Sequence, residues 1–169
     1  MTRWTVSLAT LLVTFSLAYS AAAQRLVTRA GIGIGSGLQR SDLIQEGLFQ
    51  RARTRIVVPF DFRNDEDMSQ GLAIVGIFEI EPKVGFGVEA RYVRWLGKVV
   101  SCFVGIPAII VPKTLVGIDV GVDLSLPLGK SGVAIFVEPS LAAMPLGTDL
   151  PGDHLLIWGL VSAGVHAQF

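Results

Sequence analysis

The chain has little of what usually holds a small exported domain together or binds it to nucleic acid. Of 169 residues one is cysteine, two are histidine, two tyrosine and three tryptophan. Cys102 has no second cysteine to pair with, so an internal disulfide is excluded. It reads as a small apolar strand residue rather than a reactive thiol. Fourteen basic residues balance fourteen acidic ones, which leaves no charge excess to attract nucleic acid. A long apolar run is also missing beyond the first 23 residues. The longest, Val99 to Val111, is broken by Ser101, Gly105 and Pro107, and a spanning helix needs about 20 apolar residues. Yet the mean hydropathy is +0.58. High hydropathy without such a run is what strands give when every second side chain faces acyl chains.

Residues 1–23 have the three parts of a cleavable secretory signal. Arg3 is the positive start, Trp4 to Tyr19 is mostly apolar, and Ala21-Ala22-Ala23 supplies small residues for cleavage before Gln24. A single membrane anchor is the weaker reading, because the apolar part is short and ends in small residues instead of basic ones. No cysteine follows the cleavage site to carry a lipid. The remainder, 24–169, is one domain long and nearly neutral.

That remainder alternates with a period of two. From Leu115 to Leu126, Val116, Ile118, Val120, Val122, Leu124 and Leu126 fall on one face. Gly117, Asp119, Gly121, Asp123 and Ser125 fall on the other. A helix would wrap both sets around itself, whereas a strand separates them. Two acids cannot face lipid, so the second face points inward. Val84 to Tyr92 repeats the pattern, with Gly85, Gly87, Glu89 and Arg91 on the polar face. Thr54 to Phe62 does so with Arg53, Arg55, Asp61 and Arg63, although Pro59 weakens it. At the end of the chain Val161, Ala163, Val165, Ala167 and Phe169 alternate with Leu160, Ser162, Gly164, His166 and Gln168. Leu26 to Leu38, Gln70 to Glu81, Val99 to Val111 and Val133 to Ala142 are further candidates, so eight strands are expected. The fold class is all-β, an antiparallel up-and-down transmembrane barrel.

Short connectors lie at Arg63–Ser69, 81–83, 96–98, 112–113 and Pro127–Gly132, with longer ones at 39–50 and 144–153. The long connectors then share one rim, and Pro127–Gly132 belongs to the other. A second phase would place Arg51 to Arg63 in a long first loop, and either lose a strand or pair Val99 to Val111 differently.

Signal, alternation, the Leu126-Pro127-Leu128-Gly129-Lys130 turn and the terminal Phe169 resemble the small outer-membrane β-barrel (opacity/porin-like) domain family of Gram-negative bacteria. Ser162, Gly164, Ala167 and Phe169 occupy the positions of that class's membrane-insertion signal. The resemblance implies a cell outer-membrane location, contact with outer-membrane lipid and recognition of the last strand by the barrel-insertion machinery. It implies fold and location far more than activity. The chain departs from the family in a thin aromatic girdle (Tyr92, Trp95 and Trp158) and in short loops, which speaks against adhesion through long surface loops.

The inward faces carry Arg53, Arg55, Arg63 and Arg91 against Asp61, Glu79, Glu89, Asp119, Asp123 and Glu138. An isolated buried charge is very costly, so these should pair, and an eight-strand interior is just wide enough for side chains to fill. The preferred reading is a closed barrel with a salt-bridged lumen and a structural or surface-interaction role. Alternatives are a narrow channel or a binder of small or lipidic molecules, and a soluble periplasmic barrel with apolar faces turned inward. No enzyme and no cofactor are expected. Gly129-Lys130-Ser131 lacks the glycine that a phosphate loop needs at position 124, which is leucine. The alternate glycines from Gly31 to Gly37 do not form a dinucleotide fingerprint. They read instead as room for lumen side chains of neighbouring strands. Asn64-Asp65-Glu66-Asp67 lacks the ordered spacing of a Ca²⁺ loop and reads as a solvated turn. His154, beside Asp153 and near Asp149, has no serine or second acidic pair to make it catalytic. His166 reads as structural.

Overall fold

The alternation folds as a closed sheet. A computed structural model describes residues 26–41, 49–64, 69–148, 150 and 155–169; the signal segment, residues 65–67, Asp149, Asp153 and His154 lie outside them. Eight strands run as β1 (Leu26–Ser41), β2 (Phe49–Asn64), β3 (Gln70–Glu81), β4 (Gly85–Trp95), β5 (Val100–Val111), β6 (Leu115–Pro127), β7 (Val133–Gly147) and β8 (Leu156–Gln168). Each pairs antiparallel with the next, and β1 pairs with β8 from Arg29↔Gln168 to Ser41↔Leu156, which closes the barrel. The second phase is therefore corrected. Arg51 to Arg63 lies in β2, paired with β1 on one side and β3 on the other, because Ile56, Val58 and Phe60 need an outward face as much as Arg53 and Arg55 need an inward one. The strands also run further into the long connectors than the alternation showed, leaving only 42–48 and 148–155 between them.

Four prolines sit inside strands, and three of them, Pro59, Pro107 and Pro139, take bonds out of one ladder without changing its register; Pro145 lies at the β6–β7 register shift between Val116 and Ile118. The β1–β2 pairing passes from Ala30↔Phe60 to Gly33↔Val57 across Pro59. The β5–β6 pairing skips from Gly105↔Asp119 to Ala108↔Val116 at Pro107, and the β6–β7 pairing from Gly121↔Ser140 to Leu124↔Val137 at Pro139. Proline has no N–H to donate; the opposite neighbour of each of these strands keeps its ladder.

The outer surface is apolar. Ile32, Ile34, Leu72, Ile74, Val104, Ile106, Ile118, Leu141 and Val161 are all exposed. Among the described residues Arg40, Glu81 and Arg94 are the outward charges of the strands, and each stands within two residues of a strand end. The uncharged belt from Val116 to Leu126 on β6 is about 25 Å tall at roughly 3.4 Å per residue and a tilt of about 40°. The soluble-barrel alternative, with apolar faces inward, is overturned by this orientation. One rim carries the 65–69 connection, the turns at 96–99 and 128–132, the start of β1 and the end of β8. The other carries the turns at 82–84 and 112–114 and the two longer connections. In the 128–132 turn Leu128 N donates to Val133 O at 2.8 Å. Gly129 (φ 65°) and Gly132 (φ 72°) occupy the left-handed region there, which side chains disfavour.

Candidate functional site

Inward parity brings the polar face of every strand into one lumen. Nine of the ten charges expected there are less than a tenth exposed: Arg53, Arg55, Asp61, Glu79, Glu89, Arg91, Asp119, Asp123 and Glu138. Arg63 is half-buried at the rim, where its Nη2 donates to Gln168 Oε1 at 3.2 Å and its Cζ lies 5.3 Å from the Trp95 ring centroid.

Arg91 sits between two carboxylates. Its Nε and Nη2 donate to Glu89 at 2.8 and 3.0 Å, and its Nη1 and Nη2 to Glu138 at 2.6 and 3.0 Å. The planar guanidinium can serve two acids in this way because its five N–H groups form a fixed fork. Phe103 covers it, with Cζ 3.8 Å from the ring centroid. Gly105, opposite Arg91 on β5, makes the room: a Cβ there would lie 2.2 Å from Glu89 Oε1 and 3.0 Å from Arg91 Cγ. Toward the rim of the 82–84 and 112–114 turns, Arg53 bonds Glu79 and Gln39 and lies 3.7 Å from the Trp158 ring centroid. Toward the opposite rim, Arg29 bonds Asp61, reaches Asp123 Oδ2 at 3.3 Å and Ser125 Oγ at 3.2 Å, and approaches His166 Nε2 at 3.4 Å. Arg29 was missing from the sequence-derived set, although it shares the parity of Gly31 and Gly33 and could have been found by it.

The ion pairs do not fill the lumen. Arg55 and Asp119, 1% and 0% exposed, have no hydrogen-bond partner among the described residues at any guanidinium nitrogen or carboxylate oxygen. A second component, which charge counting overlooked, is apolar. Val57, Val75, Ile77, Ile109, Leu115, Phe136, Met144, Leu156, Trp158 and Leu160 form one buried cluster, set toward the rim of the 82–84 and 112–114 turns. Trp158 is 0% exposed, so it belongs to this plug and not to an outer aromatic girdle. The other half of the lumen is polar and opens at the rim of the chain ends as a cavity of about 210 Å³. Between this cavity and the plug, beside Arg91 and Glu138, only about 20 Å³ remains, room for about one water.

The glycines of β1 act as predicted for lumen space. A Cβ on Gly33 would meet Phe136 Cζ at 2.7 Å and Ala163 O at 2.8 Å. Gly33→Val is therefore expected to destabilise the barrel by about 1–3 kcal/mol through overpacking, seen as a lower urea midpoint in refolded protein. Ile34→Val, one residue along on the outward face, serves as the comparison and should move the midpoint far less.

In the last strand Ser162 is buried, Gly164 is half-buried facing inward, Ala167 is half-buried facing outward and Phe169 is 78% exposed. His166 stacks on Phe136, with ring centroids 5.9 Å apart and planes 8° apart. Phe169 N donates to Thr28 O at 2.9 Å, so pairing to β1 continues to the final residue.

No family model and no curated protein matches the sequence. The fold does match solved structures. Neisserial surface protein A superposes with a TM-score of 0.56 at 11% identity, over 84% of this chain and 97% of that one. Ail, the attachment invasion locus protein of Yersinia pestis, solved in complex with the heparin analogue sucrose octasulfate, gives a TM-score of 0.48 at 13% identity over 84% of this chain and 99% of that one.

Proposed function

We propose that this chain, an eight-stranded barrel with the fold of the small outer-membrane β-barrel proteins, is an integral outer-membrane protein whose closed lumen leaves its rims to do the work, in a structural or surface-interaction role. The observation that carries the reading is the uncharged apolar belt around the whole outside, set against buried charge inside. Only lipid makes that inversion favourable, because in water the belt would be a large exposed apolar patch. Residues 1–23 act as the export signal. The chain ends then lie on the periplasmic rim, and the 42–48 and 148–155 connections face outward. Ser162, Gly164, Ala167 and Phe169 form the signal read by the insertion machinery, supported by the position of β8 as the closing strand.

Closure of the lumen rests on the apolar plug around Trp158 and on the Arg91–Glu89–Glu138 cluster. The purified barrel in planar bilayers is expected to give no steady single-channel current. Discrete openings altered by Glu89→Gln or Arg91→Met would replace this reading with a narrow channel.

A further inference from the structure

The 210 Å³ cavity at the rim of the chain ends is blind, and its walls differ from the rest of the lumen. Deeper in, arginines meet carboxylates. Here Arg29, Arg63, Lys98 and Lys130 line the cavity against one acid among the described residues, Asp61, which Arg29 already bonds. Lys98 and Lys130 come from the 96–99 and 128–132 turns on separate hairpins. Both ammonium groups are exposed, and neither makes a hydrogen bond or ion pair among the described residues. Arg63 is held at the same mouth by Trp95 and Gln168. Ser101 adds a hydroxyl below, while Ser125 Oγ already donates to Asp123 Oδ1. Two ammonium groups over a polar recess form a focused positive field at which a desolvated oxyanion gains most.

We propose that this recess binds a small oxyanion, a phosphate or phosphomonoester of about ten heavy atoms or fewer, with Lys98 and Lys130 holding the charged group at the mouth. The size follows from the volume, about seven waters' worth at roughly 30 Å³ each. Lysine suits a phosphate as a point charge that can reorient. The site does not depend on which rim faces the periplasm, and its binding is read separately from conductance.

The test uses the 24–169 barrel refolded in detergent micelles. Inorganic phosphate and glycerol 3-phosphate are titrated by calorimetry and by Trp95 fluorescence in a Trp158→Phe background. Saturable binding is expected that weakens with added salt. The Lys98→Ala, Lys130→Ala double variant should lose at least tenfold in affinity while keeping its heat-modifiable gel shift. Lys83→Ala with Lys113→Ala, at the other rim, should bind as the parent does. Equal binding by the Lys98/Lys130 variant, or no saturable binding by the parent, overturns the proposal. So does phosphate binding that appears only with added Ca²⁺, since the acids at 65–67 would then hold the ion and the lysines would not.

Discussion

Arg91→Met is expected to cost the folded barrel about 3–5 kcal/mol, the usual consequence of removing one partner from a buried ion pair. Glu89 and Glu138 would be left 0% and 6% exposed, facing one another without the guanidinium that bonds both. The lost hydrogen bonds matter less than the two acids left without compensation, because ionised groups out of water are far more expensive than neutral ones. The measurement is equilibrium urea unfolding of the protein folded into lipid vesicles. The companion variant Glu89→Leu, Arg91→Met, Glu138→Leu is expected to regain most of the loss, since a buried ion cluster replaced by apolar side chains of similar volume is often neutral or better. A single variant as stable as the parent would mean that Arg91 does not bridge the two acids. A triple variant no better than the single would mean that packing, and not charge, sets the cost.

Val120→Arg should destabilise the barrel by about 2–4 kcal/mol in a bilayer, and by much less near a rim. Val120 is 47% exposed at the middle of the belt, next to Asp119, which is 0% exposed on the inward face. The neighbours differ by one step along β6 and live in opposite media. The depth series Val120→Arg, Leu124→Arg and Leu128→Arg should show a cost that falls toward the turn, as the guanidinium reaches the headgroups. A flat series, or full stability for Val120→Arg in lipid, would contradict the membrane reading. In water alone such a substitution ought to improve solubility, so the sign itself discriminates.

Strand count and facing were legible in the sequence because they rest on parity alone. Asp119 and Asp123 on one face of β6 fix the inward direction, and antiparallel pairing carries it to every neighbour. Parity also places Arg29 and Trp158 inward, but Arg29 stands in a strand whose alternate glycines, and not its charge, are its most visible feature. The alternation puts Gln39 in the 39–50 connector, whereas β1 runs on to Ser41, and Trp158 reads as part of the outer girdle because tryptophan is expected at a membrane interface. Which arginine meets which acid was not legible. Arg53 and Glu79 lie on adjacent strands, but Arg91 reaches Glu138 across the lumen, from β4 to β7. That distance depends on how the sheet curls shut, which alternation does not encode. The 210 Å³ recess also depends on two separate turns and on strand ends far apart in the chain, so no local motif announces it.

The pairing of β1 with β8 also has a consequence in time. Arg29 meets Gln168, so the contact that completes the structure joins nearly the two ends of the described chain. Non-local pairing of this kind makes folding slow. Until the last strand arrives, the growing sheet has two open edges, each a template for pairing with another chain. The polypeptide therefore has to remain unfolded until its final residues are available. An escort that masks those edges would determine the yield of barrel more than the stability of the finished structure does.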